Sequence, residues 1–196
     1  MSGLQKFLTE NNVGYMEGHS AQVPGQVEFL KDIVQHESIK NVMEIGFNAG
    51  HSAEIFLSSN ENINLTSFDI GVHAYLKKGK KYIDTTYPNR HSLVLGNSLI
   101  TVPEYFEKNN TKFDIIFIDG NHEYIFAVND LKNCKNLAHE KTIIILDDTY
   151  NGANKAQFNI GPNSAWSEAK QSGLVKELGS IDFQYARGSS WGNYNF

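Results

Sequence analysis

The sequence predicts an α/β fold: a doubly wound, mainly parallel sheet of seven strands with helices on both faces. Two observations carry this. Runs such as "DIIFI" (114–118) and "TIIIL" (142–146) are apolar on both faces past their first residue, as strands covered by helices on both sides must be. Strand-like and helix-like segments also alternate along most of the chain, the pattern of right-handed βαβ units. A third observation, the polar residues that close each strand, says where a ligand would sit.

After a polar, glycine-bearing start, "PGQVEFLKDIVQH" places Val27, Phe29, Leu30 and Ile33 on one helical face. "NVMEIGF" is then a short strand and "AGHSAEIFLSS" a helix. "INLTSFDIG" follows as a strand, with a helix from His73 to about Tyr87. "HSLVLGNS" is a strand and "VPEYFEKN" a short helix. "FDIIFID" is a strand, "EYIFAVNDLKNCKNLA" a helix, and "TIIILDD" the fifth strand. Past Asp148, "TYNGANKAQFNIGPNSAW" is rich in Asn and Gly and reads as a long loop, before a helix near Trp166–Gln171. "LVKELGS" and "DFQYARG" are expected to close the sheet as a hairpin-like edge. The division expected is a lid segment, 1–24, ahead of one domain, 25–196.

A chain of 196 residues can bury one full core. With 20% charged and 40% hydrophobic residues it reads as a water-soluble protein. A net charge of −5 argues against nucleic acid or an anionic membrane as partner. "KKGKK" (77–81) points the other way; it reads as a solvated helix end, with a patch for an anionic substrate group as the alternative. Cys134, the single cysteine, allows no internal disulfide and no cysteine zinc site, and its spacing with Ala127, Leu131 and Leu137 makes it a buried filler. A reducing, cytoplasmic setting fits. No secretory signal pattern and no apolar run of membrane-spanning length is visible.

In a sheet of this class, ligands bind at the carboxyl ends of the strands, near the point where strand order reverses. Glu44 and Gly46 end the first strand, Asp69 the second, Asn97 and Ser98 the third, Asp119 the fourth, and Asp147 with Asp148 the fifth. In "EIGFNAGHS", Gly46 and Gly50 allow a tight turn and a close backbone approach beside a helix N-terminus. Asp69 lies 23 residues after Gly46, where an acid accepts hydrogen bonds from ribose hydroxyls, although a helix cap would also use one. The turn lacks the G-x-G of dinucleotide folds.

These residues carry a resemblance. "VMEIGFNAGHSAEIF" resembles the E-x-G-x-x-x-G turn of class I S-adenosylmethionine-dependent methyltransferases. "FDIG" resembles their ribose-binding acid, "GNS" their adenine-contacting segment, and "PGQVEFLKDIV" the helix before the first strand in small-molecule O-methyltransferases. The likeness runs from about Pro24 to Tyr150. It implies a Rossmann-like fold and contacts to S-adenosylmethionine at Glu44, Gly46, Gly50, Ser52, Asp69, Asn97, Ser98 and Asp119. "FIDGNHEY" with "ILDDTY" resembles the cation-dependent branch, which includes the catechol and caffeoyl-coenzyme A enzymes and the methyltransferases of macrolide and aminocoumarin sugars. By position, the resemblance makes Asp119, Asp147 and Asp148 the ligands of Mg²⁺, Mn²⁺ or Ca²⁺. It makes His122 the base, with Asp119 beside it in the catalytic set; the catechol enzymes have lysine at that place.

Physical chemistry agrees with that assignment without requiring it. Three carboxylates forced together repel, and without a cation one must take up a proton. Hard oxygen donors suit Mg²⁺, Mn²⁺ or Ca²⁺ rather than zinc. Such an ion would lower the pKa of a hydroxyl and fix its distance to the sulfonium methyl group. Helix capping, however, explains any one of the acids alone, and His122 has a second reading as a solvent-facing or substrate-positioning residue. Asn121 and Glu123 are polar alternatives beside it. His19, His51, His73 and His91 read as surface or capping groups. Gly18 to Gln22, Trp166, Trp191 and Tyr194 are candidates for shaping the acceptor pocket, edge packing being the other reading of the aromatics. The expected function is a metal-dependent O-methyltransferase whose partner is a small-molecule hydroxyl acceptor, a sugar or polyol before a catechol. No nucleic acid or membrane partner is expected, and a homodimer is one candidate assembly. The rivals are a nucleoside-binding or interaction protein without turnover and a dehydrogenase, the latter disfavoured by the missing G-x-G.

Overall fold

In the computed structural model, which describes residues 2–196, the most apolar runs become neighbouring strands in mid-sheet. β1 (Asn41–Ile45), β2 (Asn64–Asp69), β3 (His91–Leu95), β4 (Phe113–Ile118) and β5 (Ala138–Asp147) pair in parallel. β6 (Val175–Asp182) and β7 (Gly188–Tyr194) form an antiparallel hairpin, and β7 pairs antiparallel with β5. The order across the sheet is β3-β2-β1-β4-β5-β7-β6. The hairpin therefore extends the sheet, and the seven-stranded, mainly parallel expectation holds.

Seven α-helices cover the two faces: α1 (Gly3–Glu10), α2 (Pro24–Val34), α3 (His51–Ser59), α4 (Leu76–Thr86), α5 (Ser98–Lys108), α6 (Tyr124–Cys134) and α7 (Ile160–Gln171). Alternation along each strand sends side chains to opposite layers. Val42, Ile115 and Ile145 pack with Leu30, Val34, Phe56 and Ile83 of α2, α3 and α4. Met43, Ile116 and Ile144 pack with Val102, Leu131, Cys134 and Trp166 of α5, α6 and α7. Cys134 is thus the buried filler its spacing implied.

Three elements differ from the sequence expectation. α1 is a helix where only a polar start was read: the Ser2 hydroxyl accepts from Gln5 N at 3.2 Å, and Leu4 and Leu8, one turn apart, bury against Ala49. α5 begins at Ser98, capped by Asn97, and carries Pro103 within it instead of starting near that proline. α7 begins at Ile160, inside the expected loop, with Pro162 in its first turn, where a missing N–H costs nothing. The lysines of 77–81 fill the first turns of α4, at its N-terminal end; Lys80 pairs with Asp84 and Lys78 donates to the Asn11 carbonyl at 2.7 Å.

The chain winds outward from β1 to β3, then returns to place β4 on the other side of β1, so strand order reverses between β1 and β4. The carboxyl ends of these two strands nearly touch. Asp119 N donates to Ile45 O at 2.8 Å, and Gly46 N donates to Phe68 O at 2.8 Å. Gly46 has φ +102°, and a Cβ there would lie 1.9 Å from the Asp119 carbonyl oxygen. Backbone blocks backbone, so only glycine fits. Gly46→Ala is expected to lower the unfolding free energy by about 2 kcal/mol or more, read from urea denaturation.

Candidate functional site

One cavity of about 510 Å³ opens at the carboxyl ends of the strands. Its β1–β3 side is lined by Gly46, Phe47, Ser52, Asp69, Asn97 and Ser98. Asp69 is preset by two backbone donors, Asn48 N to Oδ2 at 2.8 Å and Gly71 N to Oδ1 at 2.7 Å, and its remaining lone pairs face the cavity. The Asn97 side chain accepts from Leu99 N at 3.0 Å and so caps α5. Two residues expected here lie elsewhere. Gly50, at φ +94°, packs on Phe47 and Ile83 at the start of α3. Glu44 is fully buried beneath the turn, accepting from Ser67 Oγ at 2.6 Å and Ser52 Oγ at 2.7 Å.

The β4–β5 side holds the acids. Asp119, His122 and Asp148 each bring one candidate ligand atom, all within 4.8 Å of one another. Asp148 is fully buried and has a left-handed backbone, φ 57°. Its Oδ2 lies 2.8 Å from His122 Nε2, and Arg187 Nη1 donates to Oδ1 at 2.9 Å and to Oδ2 at 3.0 Å. Asp147 differs from the expected ligand set. Both its oxygens are taken by protein donors, Gln26 Nε2 at 2.6 Å and Ser189 Oγ at 2.6 Å, and it stays outside the converging cluster. Asp119 has no donor on its carboxylate among the described residues. Burial first, then the charges of Asp147 and Asp148, hold its proton affinity well above the usual carboxylate range, with Arg187 opposing.

The segment after α1 forms part of the cavity wall through Tyr15, Glu17, Gly18, His19 and Ser20. His19 stacks on His51 with ring centroids 3.5 Å apart. Burial, then Arg187, lowers the pKa of His19 to about 4; burial, then His19, lowers that of His51 to about 3. The reading of the histidines as surface or capping groups holds for His19, which caps the Ser20–Gln22 turn, and for His73, partly exposed beside Glu17. It is corrected for the other two, since His51 is 2% exposed and the His91 side chain is buried under Phe47, which stacks on it at 5.1 Å. His51 sits inside because α1, through Gln5, and the loop after it, through His19, cover it; His91 lies under the β1 turn, against Phe47 and Ser67. Trp166, Trp191 and Tyr194 do not line the cavity. Trp166 donates to Glu177 Oε2 at 2.5 Å, Trp191 packs on Phe29, and Tyr194 donates to Leu131 O at 2.7 Å, so edge and core packing is their role. Arg187 and Phe158 line the cavity without having been singled out in the sequence, and Gln26 and Ser189 hold the acids from outside it.

The donor set fits a hard dication. Two carboxylates and an imidazole converge, and Asp119 accepts from no protein donor among the described residues, which leaves its oxygens free for an ion. The burial of acid has a separate, measurable consequence at Glu44. Burial raises its pKa from 4.5 to about 7 despite the two serine donors, so the folded state keeps a proton that the unfolded chain releases. The stability this confers is full below about pH 4.5 and lost as pH rises to about 7. Between pH 4.5 and 8, wild type should lose on the order of 3 kcal/mol more than Glu44→Gln, read from denaturation at each pH.

Comparison with known proteins gives the fold a family. A family model described as a methyltransferase domain matches residues 43–149, more than half of the chain. None of the curated proteins matches. Among solved structures, the O-methyltransferase from Bacillus cereus in complex with SAH superposes with a TM-score of 0.74 at 16% identity, covering 98% of this chain and 90% of that one. The SAH-bound methyltransferase of Podospora anserina gives 0.77 at 14% identity, covering 100% and 89%. The O-methyltransferase TomG from Streptomyces achromogenes, involved in tomaymycin synthesis and solved with SAM, gives 0.73 at 13% identity, covering 100% and 91%. With the reversal point between β1 and β4, the glycine turn at Gly46 and the acid of β2 all in place, the chain belongs to the methyltransferase-domain family and has the fold of the S-adenosylmethionine-dependent O-methyltransferases.

Proposed function

We propose that the protein transfers the methyl group of S-adenosylmethionine to a hydroxyl of a small molecule with the help of a divalent cation. The observation that carries this is a single cavity joining the Asp69–Asn97–Ser98 side to Asp119 and His122, with the buried Asp148 converging on them from behind the wall. A nucleoside and an acceptor could lie there side by side.

Each residue then has a stated task. Asp69, held open by Asn48 and Gly71, accepts the ribose hydroxyls. Gly46 brings backbone close to the donor, and Asn97 with Ser98 borders the adenine. Asp119 and Asp148, with Asp147 behind them, hold Mg²⁺, Mn²⁺ or Ca²⁺, which when bound supplies positive charge that lowers the pKa of the acceptor hydroxyl. His122 is fixed through Nε2 on Asp148, which leaves Nδ1 to take the hydroxyl proton. The segment ahead of α2, latched by the His19–His51 stack, acts as a lid that keeps water from the donor. Polar walls at Glu17, Asn121 and His122 favour a sugar or polyol with neighbouring hydroxyls over a catechol. One observation supports a second reading, a nucleoside-binding protein without turnover: Arg187 already covers both oxygens of Asp148.

The test is product analysis by mass spectrometry after incubation with S-adenosylmethionine, Mg²⁺ and a panel of sugars and catechols, with a chelator control. Methylated product that disappears in chelator is the expected result. Equal turnover in chelator removes the cation, and donor binding without any product favours the second reading. Asp69→Ala should weaken S-adenosylmethionine binding by about 1–3 kcal/mol in calorimetry. His122→Ala should lower kcat by ~10²–10⁴ while leaving donor affinity unchanged.

A further inference from the structure

Arg187 lies at the foot of the β6–β7 turn, where Tyr185 and Ala186 both adopt left-handed φ, 61° and 55°. The Phe183 N–H donates to the Arg187 carbonyl at 2.7 Å and closes this turn, which throws residue 187 back toward β5. Its guanidinium sits in a slot with walls from three separate stretches of chain. Nη1 reaches both oxygens of Asp148, at 2.9 and 3.0 Å. Cζ stands 5.0 Å from the centroid of the Phe158 ring, in cation–π range. On the remaining side, a Cβ at Gly18 would lie 2.5 Å from Nη2. The side chain is only 20% exposed, and Asp148, Asp119 and Asp147 all draw on its charge.

This slot puts positive charge where an ion held by Asp119 and Asp148, beside His122, would sit. Oδ1 of Asp148 already accepts from Arg187, and Oδ2 accepts from Arg187 beside His122. A guanidinium and a dication on the same two oxygens would repel at short range, with little water between to screen them. We propose that Arg187 and a divalent cation are alternative occupants of Asp148: Arg187 is a resident counter-ion that balances the cluster when no ion is bound and swings off when one arrives. The proposal rests on the reading of the cluster as a cation site. It assigns a positioning role to a side chain supplied by the antiparallel hairpin, 39 residues along the chain from the acid it meets. It also gives the chain a means of folding its buried acids without waiting for metal.

The experiment is calorimetric titration of Mn²⁺ into wild type, Arg187→Gln, Arg187→Lys and Asp148→Asn, with thermal melting of each in EDTA and in Mn²⁺. Arg187→Gln should bind Mn²⁺ about 10-fold tighter than wild type or better, a gain of about 1.4 kcal/mol. Its melting temperature should fall below that of wild type in EDTA and recover in Mn²⁺, while wild type changes little between the two. Arg187→Lys, which keeps one charge but not the two-oxygen reach, should bind with intermediate affinity, and it carries the test should the glutamine variant not fold. Asp148→Asn should lose the binding. Equal or weaker Mn²⁺ binding by both Arg187 variants overturns the rivalry and leaves cation-assisted transfer standing. Absence of Mn²⁺ binding in wild type and in both Arg187 variants overturns the rivalry and the cation reading together.

Discussion

Three carboxylates at the ends of two adjacent strands set the terms for the rest of the molecule. The β4–β5 register, Ile118 opposite Leu146, leaves Asp119 and the Asp147–Asp148 pair no room to separate. Each charged acid raises the cost of charging the others, and burial adds to that cost. The chain answers each acid differently. Gln26 of α2 and Ser189 of β7 satisfy Asp147, Arg187 and His122 satisfy Asp148, and Asp119 is left for the cavity. The placement of α2, the pairing of β7 with β5 and the course of the β6–β7 turn all answer this one concentration of charge.

A second buried polar system supports the opposite bank of the cavity. Glu44 on β1 accepts from Ser52 at the start of α3 and from Ser67 on β2, and Ser67 lies 2.8 Å from His91 Nε2 on β3. The network ties three strands and a helix beneath the Gly46 turn, and of its polar groups Glu44 is satisfied at both oxygens while His91 Nδ1 is left without a hydrogen-bond partner. Buried groups of this kind rigidify a site only while every partner is present. Glu44 thus acts from below the cavity floor, although its place at a strand end resembles that of a ligand.

What could be read from the sequence follows from locality. The central strands announce themselves as apolar runs, so the residues just after them, Asp69, Asn97, Asp119 and Asp148, could be placed at one crevice from spacing alone. Arg187 could not: it meets Asp148 from 39 residues away, on a turn marked only by "QYARG". Gln26 reaches Asp147 across 121 residues, so nothing local to either betrays that the carboxylate is already satisfied. α1 was masked by its two-turn length, although Ser2 ahead of Leu4 and Leu8 is a cap with a helical repeat behind it. α7 was masked by Asn and Gly in its first turns, which resemble loop until packing decides. His51 was misread because its covering segment is itself the part whose helix was missed, and His91 because its partners Phe47 and Ser67 come from the β1 turn and from β2, far off in sequence.

The backbone at Asp148 carries an implication for how this lineage can change. A left-handed φ of 57° is tolerated by aspartate, asparagine and glycine and disfavours nearly every other side chain. Drift at this position is therefore confined to a narrow alphabet, of which only one letter is charged. A descendant that lost its arginine and also bound no ion could exchange acid for amide here with no penalty in chain geometry, so an acid at 148 in relatives should accompany a cation, from the hairpin or from solution, and an amide the lack of both.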